Sequence, residues 1–378
     1  MNLPLSPAAA TQTVIWGGLV LGVVLGAVVQ ATRFCTMGAL ADWFTFGSPG
    51  RLMMWLLAVA VAASGSLGLI SLGWLDATRA LPWSERFLWL SYLGGGPLVG
   101  IGMVLASGCP QRSLTKAGAG NLKAWVVLLV TAVTAQMSLR GVLAGPRVAV
   151  LDAAGVQLTH PQDLGSVLAP LLAPLFDAPA ATLRWAVLAV VIATAVVLLW
   201  RARAGMDRRH WIGGAGVGLL VPTAWALTGH LGYLPEHPET LEAAWLGTAS
   251  HRPEALTFTA PLAYGLDLLT LWSDRNTTAS FGVVVALGVL LGSAVSAAWR
   301  KEFRLESFGS AEDLCNHLLG GVLMGFGGVT AVGCSIGQGI SGLSLLSAGA
   351  CLAVAGIVGG AWLALRWQAW RVERSMRT

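Results

Sequence analysis

Gly95–Cys109 reads GGPLVGIGMVLASGC, and Gly320–Cys334 reads GGVLMGFGGVTAVGC. The two stretches align without gaps and share nine of fifteen positions: both leading glycines, Leu98/Leu323, Gly100/Gly325, Gly102/Gly327, Val104/Val329, Ala106/Ala331, Gly108/Gly333 and Cys109/Cys334. Each glycine inside a helix costs about 0.5–1 kcal/mol against alanine, so so much glycine needs a compensating gain. Close helix packing in lipid supplies one, because small residues let backbones approach. Composition bias explains some of the Gly and Ala matches, but not a full pattern that ends in Gly-Cys.

The rest of the chain reads as a membrane protein. Of its 378 residues 55% are hydrophobic and only 11% charged, against roughly 25% charged in soluble domains. Val14–Ala31, Trp185–Trp200 and Phe281–Trp299 carry no charge and approach the roughly 17–25 residues that a spanning helix needs. Many of the seventeen Trp flank such runs (Trp16, Trp55, Trp74, Trp89, Trp125, Trp185, Trp200, Trp211, Trp299), as in an interfacial aromatic belt. No Lys or Arg precedes the first run, so it is not read as a secretory signal. The expected fold is an all-α integral membrane protein, a single transport domain over 1–378. It has about nine spanning helices, near 14–31, 52–75, 88–107, 122–144, 183–201, 211–233, 279–299, 315–332 and 344–366, with short re-entrant helices between them.

Charge sets the expected orientation. With the N-terminus outside, sixteen Lys and Arg fall in inner loops (Arg33, Arg51, Arg112, Lys116, Lys123 and the clusters at 201–209, 300–304 and 366–377). Six fall outside (Arg79, Arg86, Arg147, Arg184, Arg252, Arg275). The positive-inside rule then favours N-out and C-in. A net charge of +5 spread over short loops reads as topology rather than as a nucleic-acid footprint. The matched stretches fall on the third and eighth spans, an odd offset, so they run in opposite directions. Inverted repeats with broken helices are frequent in transporters, with the substrate site where the repeats meet. The halves are placed at about 14–144 and 211–366, with insertions 145–181 and 234–277 on the outer face. A fainter match pairs Gly22–Val29 with Gly288–Val295.

Five cysteines (Cys35, Cys109, Cys315, Cys334, Cys351) form no C-x-x-C pair, which argues against a disulfide framework or a zinc site. No metal or cofactor is expected. A single membrane cysteine reads first as a small buried hydrophobe, and Cys315 and Cys351 keep that reading. Cys109 and Cys334 sit in repeated Gly-Cys contexts at the end of apolar helices, beside Gly108 and Gly333. Cys35, on local grounds alone, fits either reading. Stretches too short to span follow all three, as half-helices whose N-terminal N–H groups suit an anion. A neutral thiol is a weak donor and acceptor, which suits shallow sites that bind and release an ion along a path. Gln111 and Gln338 are placed to donate amide hydrogen bonds nearby, and Arg33 to attract anions. Gln136 and Arg140, one turn apart, form a second polar pair. His230, Asp267 and His317 are too scattered for a metal site or proton relay. No phosphate loop, nucleophile elbow or carboxylate pair is present.

These motifs resemble the YeeE/YedE family of sulfur-transport membrane proteins over almost the whole chain. The resemblance rests on C-x-x-G-A at Cys35–Ala39, the Gly95–Cys109 pattern, GCSIGQGISG within Gly320–Gly342, and EFRLE at Glu302–Glu306. It implies an hourglass-shaped fold and inward passage of thiosulfate between thiols that map here to Cys35, Cys109 and Cys334. It also implies a bacterial inner-membrane location and a TusA-like sulfurtransferase partner at the cytoplasmic face. The His-, Pro- and Glu-rich 234–277 segment departs from the bare family pattern, which leaves other sulfur or selenium species open as substrates. An intramembrane thiol-disulfide oxidoreductase is the alternative from another class. It needs a pair of cysteines close enough to bridge, and the spacing supplies no such motif. A soft-metal transporter lacks the accompanying His, Met or carboxylate ligands.

Overall fold

The computed structural model describes residues 6–173, 179–238, 240–274 and 277–376. Its helices are α1 (Pro7–Thr32), α2 (Thr36–Ala41), α3 (Gly50–Ser71), α4 (Trp89–Leu105), α5 (Pro110–Gly118), α6 (Leu122–Leu139) and α7 (Ala144–Arg147). There follow α8 (Leu164–Leu172), α9 (Ala180–Ala202), α10 (Arg208–Ala226), α11 (Thr259–Thr270), α12 (Phe281–Trp299), α13 (Ala311–Thr330) and α14 (Ala348–Ser375). Two antiparallel pairs of two-residue strands complete the order: β1 (Arg86–Phe87) with β2 (Val156–Gln157), and β3 (Tyr233–Leu234) with β4 (Ala244–Trp245). Arg275 and Arg377, counted above for orientation, lie outside the described residues.

Among the described residues eight helices are long and apolar enough to cross a membrane: α1, α3, α4, α6, α9, α10, α12 and α14. The protein is an all-α, multi-pass membrane protein. The expected ninth span, 315–332, is α13, which is as long but falls short in apolarity among the described residues. Its first two turns carry Glu312, Asp313, Asn316 and His317. The remainder packs against α4 and α6, and a helix covered by protein needs less lipid-compatible surface than one facing hydrocarbon.

Glycine decides how close these helices come. A methyl carbon on Gly102 would stand 2.8 Å from Gly320 O, and one on Gly320 would stand 2.7 Å from Gly102 O. Gly95 and Gly327 meet in the same reciprocal way, at 2.7 and 2.8 Å. Because 95 meets 327 while 102 meets 320, α4 and α13 cross antiparallel. The next glycines along each stretch face outward from this crossing. A methyl carbon on Gly96 would stand 2.6 Å from Ala353 O of α14, and one on Gly325 2.8 Å from Thr131 O of α6. The fainter match behaves differently. Gly18, Gly22 and Gly26 of α1 meet Phe281, Val285 and Val289 of α12 in ascending order, so these two helices run the same way and are packing partners rather than an inverted pair.

Trp16, Trp74, Trp89, Trp125, Trp185, Trp200, Trp211 and Trp299 are exposed on the bundle, as a belt requires. Trp55, expected among them, instead turns its ring against Gly339. Helix α9 is the most exposed of the long helices. It is tied to the bundle through Arg184, whose Nε donates to Asp163 at 2.7 Å while the guanidinium stacks on Trp83 at 4.4 Å. The 234–277 segment is more than a surface insertion. Leu256 and Phe258 within it are fully buried, and Ser341 Oγ donates to Leu256 O at 2.8 Å.

The crossing yields a stability prediction. Gly102→Ala forces a methyl against backbone and should cost about 1–3 kcal/mol. Gly359→Ala in α14, where nothing lies within 4 Å, should be neutral or stabilising. Thermal denaturation of the two purified variants in detergent checks the difference, and equal melting temperatures would refute it.

Candidate functional site

Three helices stop in the same way, and a cysteine follows each stop. The stops are non-glycine residues in the left-handed region: Arg33 (φ 58°), Ser107 (φ 54°) and Val332 (φ 57°), each two residues before Cys35, Cys109 or Cys334. After α4, Ser107 N donates to Val104 O and Gly108 N to Met103 O; after α13, Val332 N donates to Val329 O and Gly333 N to Gly328 O. This pairing satisfies the last carbonyls of each helix and turns the chain away from its axis. Each cysteine then starts a new turn, its carbonyl accepting from the amide four residues on: Ala39, Ser113 and Gln338. Cys35 Sγ also accepts from Gly38 N at 3.3 Å, and Cys334 Sγ from Gly337 N at 3.5 Å. Cys109 is followed by Pro110 at the first helical position, where a missing N–H costs nothing.

The three stop residues are themselves exposed, and the chain is buried again from the next residue on. Cys109 and Cys334 are fully enclosed and Cys35 is nearly so. Cys109 has Cys35 and Cys334 as its electrostatic neighbours, with the Ser335 side chain beside it. Around them Thr36 Oγ1, Gln111 Oε1, Arg112 Nη1 and Ser335 Oγ are buried without a hydrogen-bond partner among the described residues. Buried polar atoms are paired in most folds, so four orphans around three thiols form a polar region ready for a guest. All five cysteines are free thiols.

Two cavities flank this centre. One, of about 710 Å³, is lined by Cys35, Ser107 and six cations: Arg33, Arg51, Arg112, Lys116, Lys301 and Arg304. Its carboxylates, Glu302 and Glu306, are engaged: Gln30 donates to Glu302 at 3.2 Å, Arg300 lies 3.6 Å from it, and Asn121 donates to Glu306 at 2.6 Å. Arg51 is held by Asp42 and lies in the space left by Gly38, beside Cys35. The second cavity, of about 190 Å³, lies against Val332, Gly333 and Gly337 and is lined further by Glu254, Tyr264 and Ser280. The segment between α12 and α13 braces the α5–α6 turn, with Leu122 N donating to Glu306 O at 2.8 Å. Two indoles brace the segment that leads into α14, Trp83 donating to Leu345 O at 2.7 Å and Trp225 to Ser344 Oγ at 3.2 Å.

Residues 31–363 match the model of the sulphur transport family. The chain belongs to that family. It is similar to the thiosulfate transporter TsuA of Escherichia coli (strain K12), 28% identical over 361 residues, covering 93% of this chain and 94% of the relative. It is also similar to the thiosulfate transporter TsuA of Spirochaeta thermophila, 25% identical over 360 residues, covering 92% and 97%.

In this member of the sulphur transport family the expected site residues take different places. Cys35, Cys109 and Cys334 come together. Gly333 lines the smaller cavity, and Gly108 packs under the Arg112 side chain. Gln111 is buried with a free carbonyl oxygen, its amide nitrogen 3.4 Å from Thr115 Oγ1. Gln338 donates to Ala331 O at 2.6 Å and so serves mainly to close the end of α13. Arg33 lines the basic cavity with a largely exposed side chain, 3.9 Å from Glu302. Cys315 and Cys351 are exposed on the helix surface, not buried as expected. Gln136 and Arg140, expected as a polar pair, both reach Asp267 of α11. The sequence reading passed over Thr36 and Ser335, although each directly follows a motif cysteine, and took Arg51 for topology alone.

A charge test follows from the basic cavity. In a variant whose only cysteine is Cys35, an anionic methanethiosulfonate should react about ten times faster than a cationic one of similar size, since a focused field raises local anion concentration. Equal rates would show that the cations do not control access to this thiol.

Proposed function

We propose that the protein is an inner-membrane permease that takes up a small sulfur-containing anion, thiosulfate foremost, by passing it along Cys334, Cys109 and Cys35. The observation that carries this reading is Cys109 beside Cys35 and Cys334, after three equivalent helix stops that open on two cavities. Helix breaks at membrane depth are tolerated where they line a path. The names of the similar proteins supply the anion.

The chemistry suits a relay. Neutral thiols and the free polar atoms around them replace part of an anion's hydration shell with weak contacts, strong enough to admit it and weak enough to release it. Ionised thiolates would repel it, so the working form is protonated. The basic cavity then draws the anion onward. With N-out and C-in, that cavity faces the cytoplasm, where a TusA-like sulfurtransferase would receive the sulfur. On this reading the Gly95–Cys109 and Gly320–Cys334 stretches are the inverted pair of the two repeat halves.

Uptake of labelled thiosulfate into proteoliposomes, competed with sulfate, sulfite and selenite, tests the function. Cys109→Ala and Cys334→Ala should each abolish uptake while leaving folded protein in the membrane, and Cys351→Ala should change it less than twofold. Full uptake with alanine at both 109 and 334 would overturn the relay. A Cys–Cys disulfide that forms and turns over stoichiometrically under oxidant would favour the oxidoreductase instead.

A further inference from the structure

Glu254 is a carboxyl group where an anion path should least tolerate one. It lines the smaller cavity opposite Gly333, the residue before Cys334. Its backbone is pinned: Thr228 Oγ1 donates to Glu254 O at 2.6 Å, and Glu254 N donates back to Thr228 Oγ1 at 3.1 Å. The turn therefore holds the carboxyl against the cavity. Among the described residues no Lys or Arg forms an ion pair with it.

The groups facing Glu254 are few. From its own turn come Ser250, whose amide donates to Glu254 Oε1 at 2.9 Å, and His251. From α11 comes Tyr264, whose ring in turn has Arg140 at 5.8 Å. The turn that closes α10 contributes the uncharged Thr228, and the cavity wall at Leu81 and Pro82 contributes no charge. Burial pushes the Glu254 carboxyl above the usual carboxylate range. On the same cavity, Ser280 is 7% exposed and its hydroxyl has no partner.

We propose that Glu254 and Ser280 form an anion subsite ahead of Cys334 that accepts its ion only while Glu254 carries a proton. The proton comes from the water of that cavity and resides on Oε2, since Oε1 accepts from the Ser250 amide. The neutral carboxyl and the Ser280 hydroxyl then donate to the anion's oxygens. Loss of the proton replaces a donor with a like charge and closes the subsite. The proton need not cross the membrane. This rests on the uptake reading above and adds how the site is controlled.

Initial uptake of labelled thiosulfate into proteoliposomes, measured against concentration at a series of external pH values with internal pH fixed, tests it. In the wild type, KM should rise about tenfold for each pH unit above the carboxyl's titration, because only the protonated fraction binds, while Vmax holds. Glu254→Gln, a neutral donor, should give a low KM that is flat with pH. Ser280→Ala should raise KM severalfold and keep the wild-type pH profile, and His251→Gln should keep it too. A flat wild-type KM, an unchanged profile in Glu254→Gln, or loss of the profile in His251→Gln each overturns the subsite. Absence of wild-type uptake at every pH would instead overturn the transport reading itself.

Discussion

Backbone contact between α4 and α13 is the constraint on which the rest of this structure depends. Ordinary side chains hold helix axes 8–10 Å apart, and such spacing would leave Cys109 and Cys334 on separate helices of a looser bundle. Reciprocal contacts of Gly95 with Gly327 and Gly102 with Gly320 remove that spacer. Because the crossing is antiparallel, the two left-handed stops fall on opposite sides of it, Ser107 on the basic cavity and Val332 on the smaller one. The outward-facing glycines repeat the device against α14 and α6, so four helices are locked around the breaks by one residue type.

Much of this was legible in the sequence because packing glycines and cysteine contexts are local patterns that recur. The glycines of the two copies announced close packing and the odd span offset their opposed directions, but not that α4 and α13 pack on each other. The spans were legible because hydrocarbon demands long apolar runs. Where the reading failed, the cause was an interaction between distant parts of the chain. Trp55 looked like a belt residue until Gly339 made room for its ring. Gln338 looked like an anion donor, but the end of α13 takes its amide. Cys315 and Cys351 looked buried because hydrophobicity marks a membrane helix without saying which side faces lipid.

The candidate site shows the same division. Three cysteines were visible, each beside a glycine, a proline or a short polar run. The polar atoms that accompany them were not, because Thr36 and Ser335 are unremarkable until burial leaves them without partners. The cations of the large cavity could be counted but not placed. Arg51 acquires its position only through Asp42 and the space at Gly38. Glu254 belongs to a segment that reads as a surface insertion and folds inward instead.

The stop at Val332 carries a consequence of its own. A β-branched side chain in the left-handed region costs about 1–3 kcal/mol in backbone strain, and such strain persists only where the surroundings over-determine it. Glycine would adopt φ 57° at no such cost, yet the chain carries valine there and leaves the glycine one residue later. The turn that presents Cys334 is thus imposed by the supports packed around it rather than by local preference. Any loosening of those supports is felt first at the thiol.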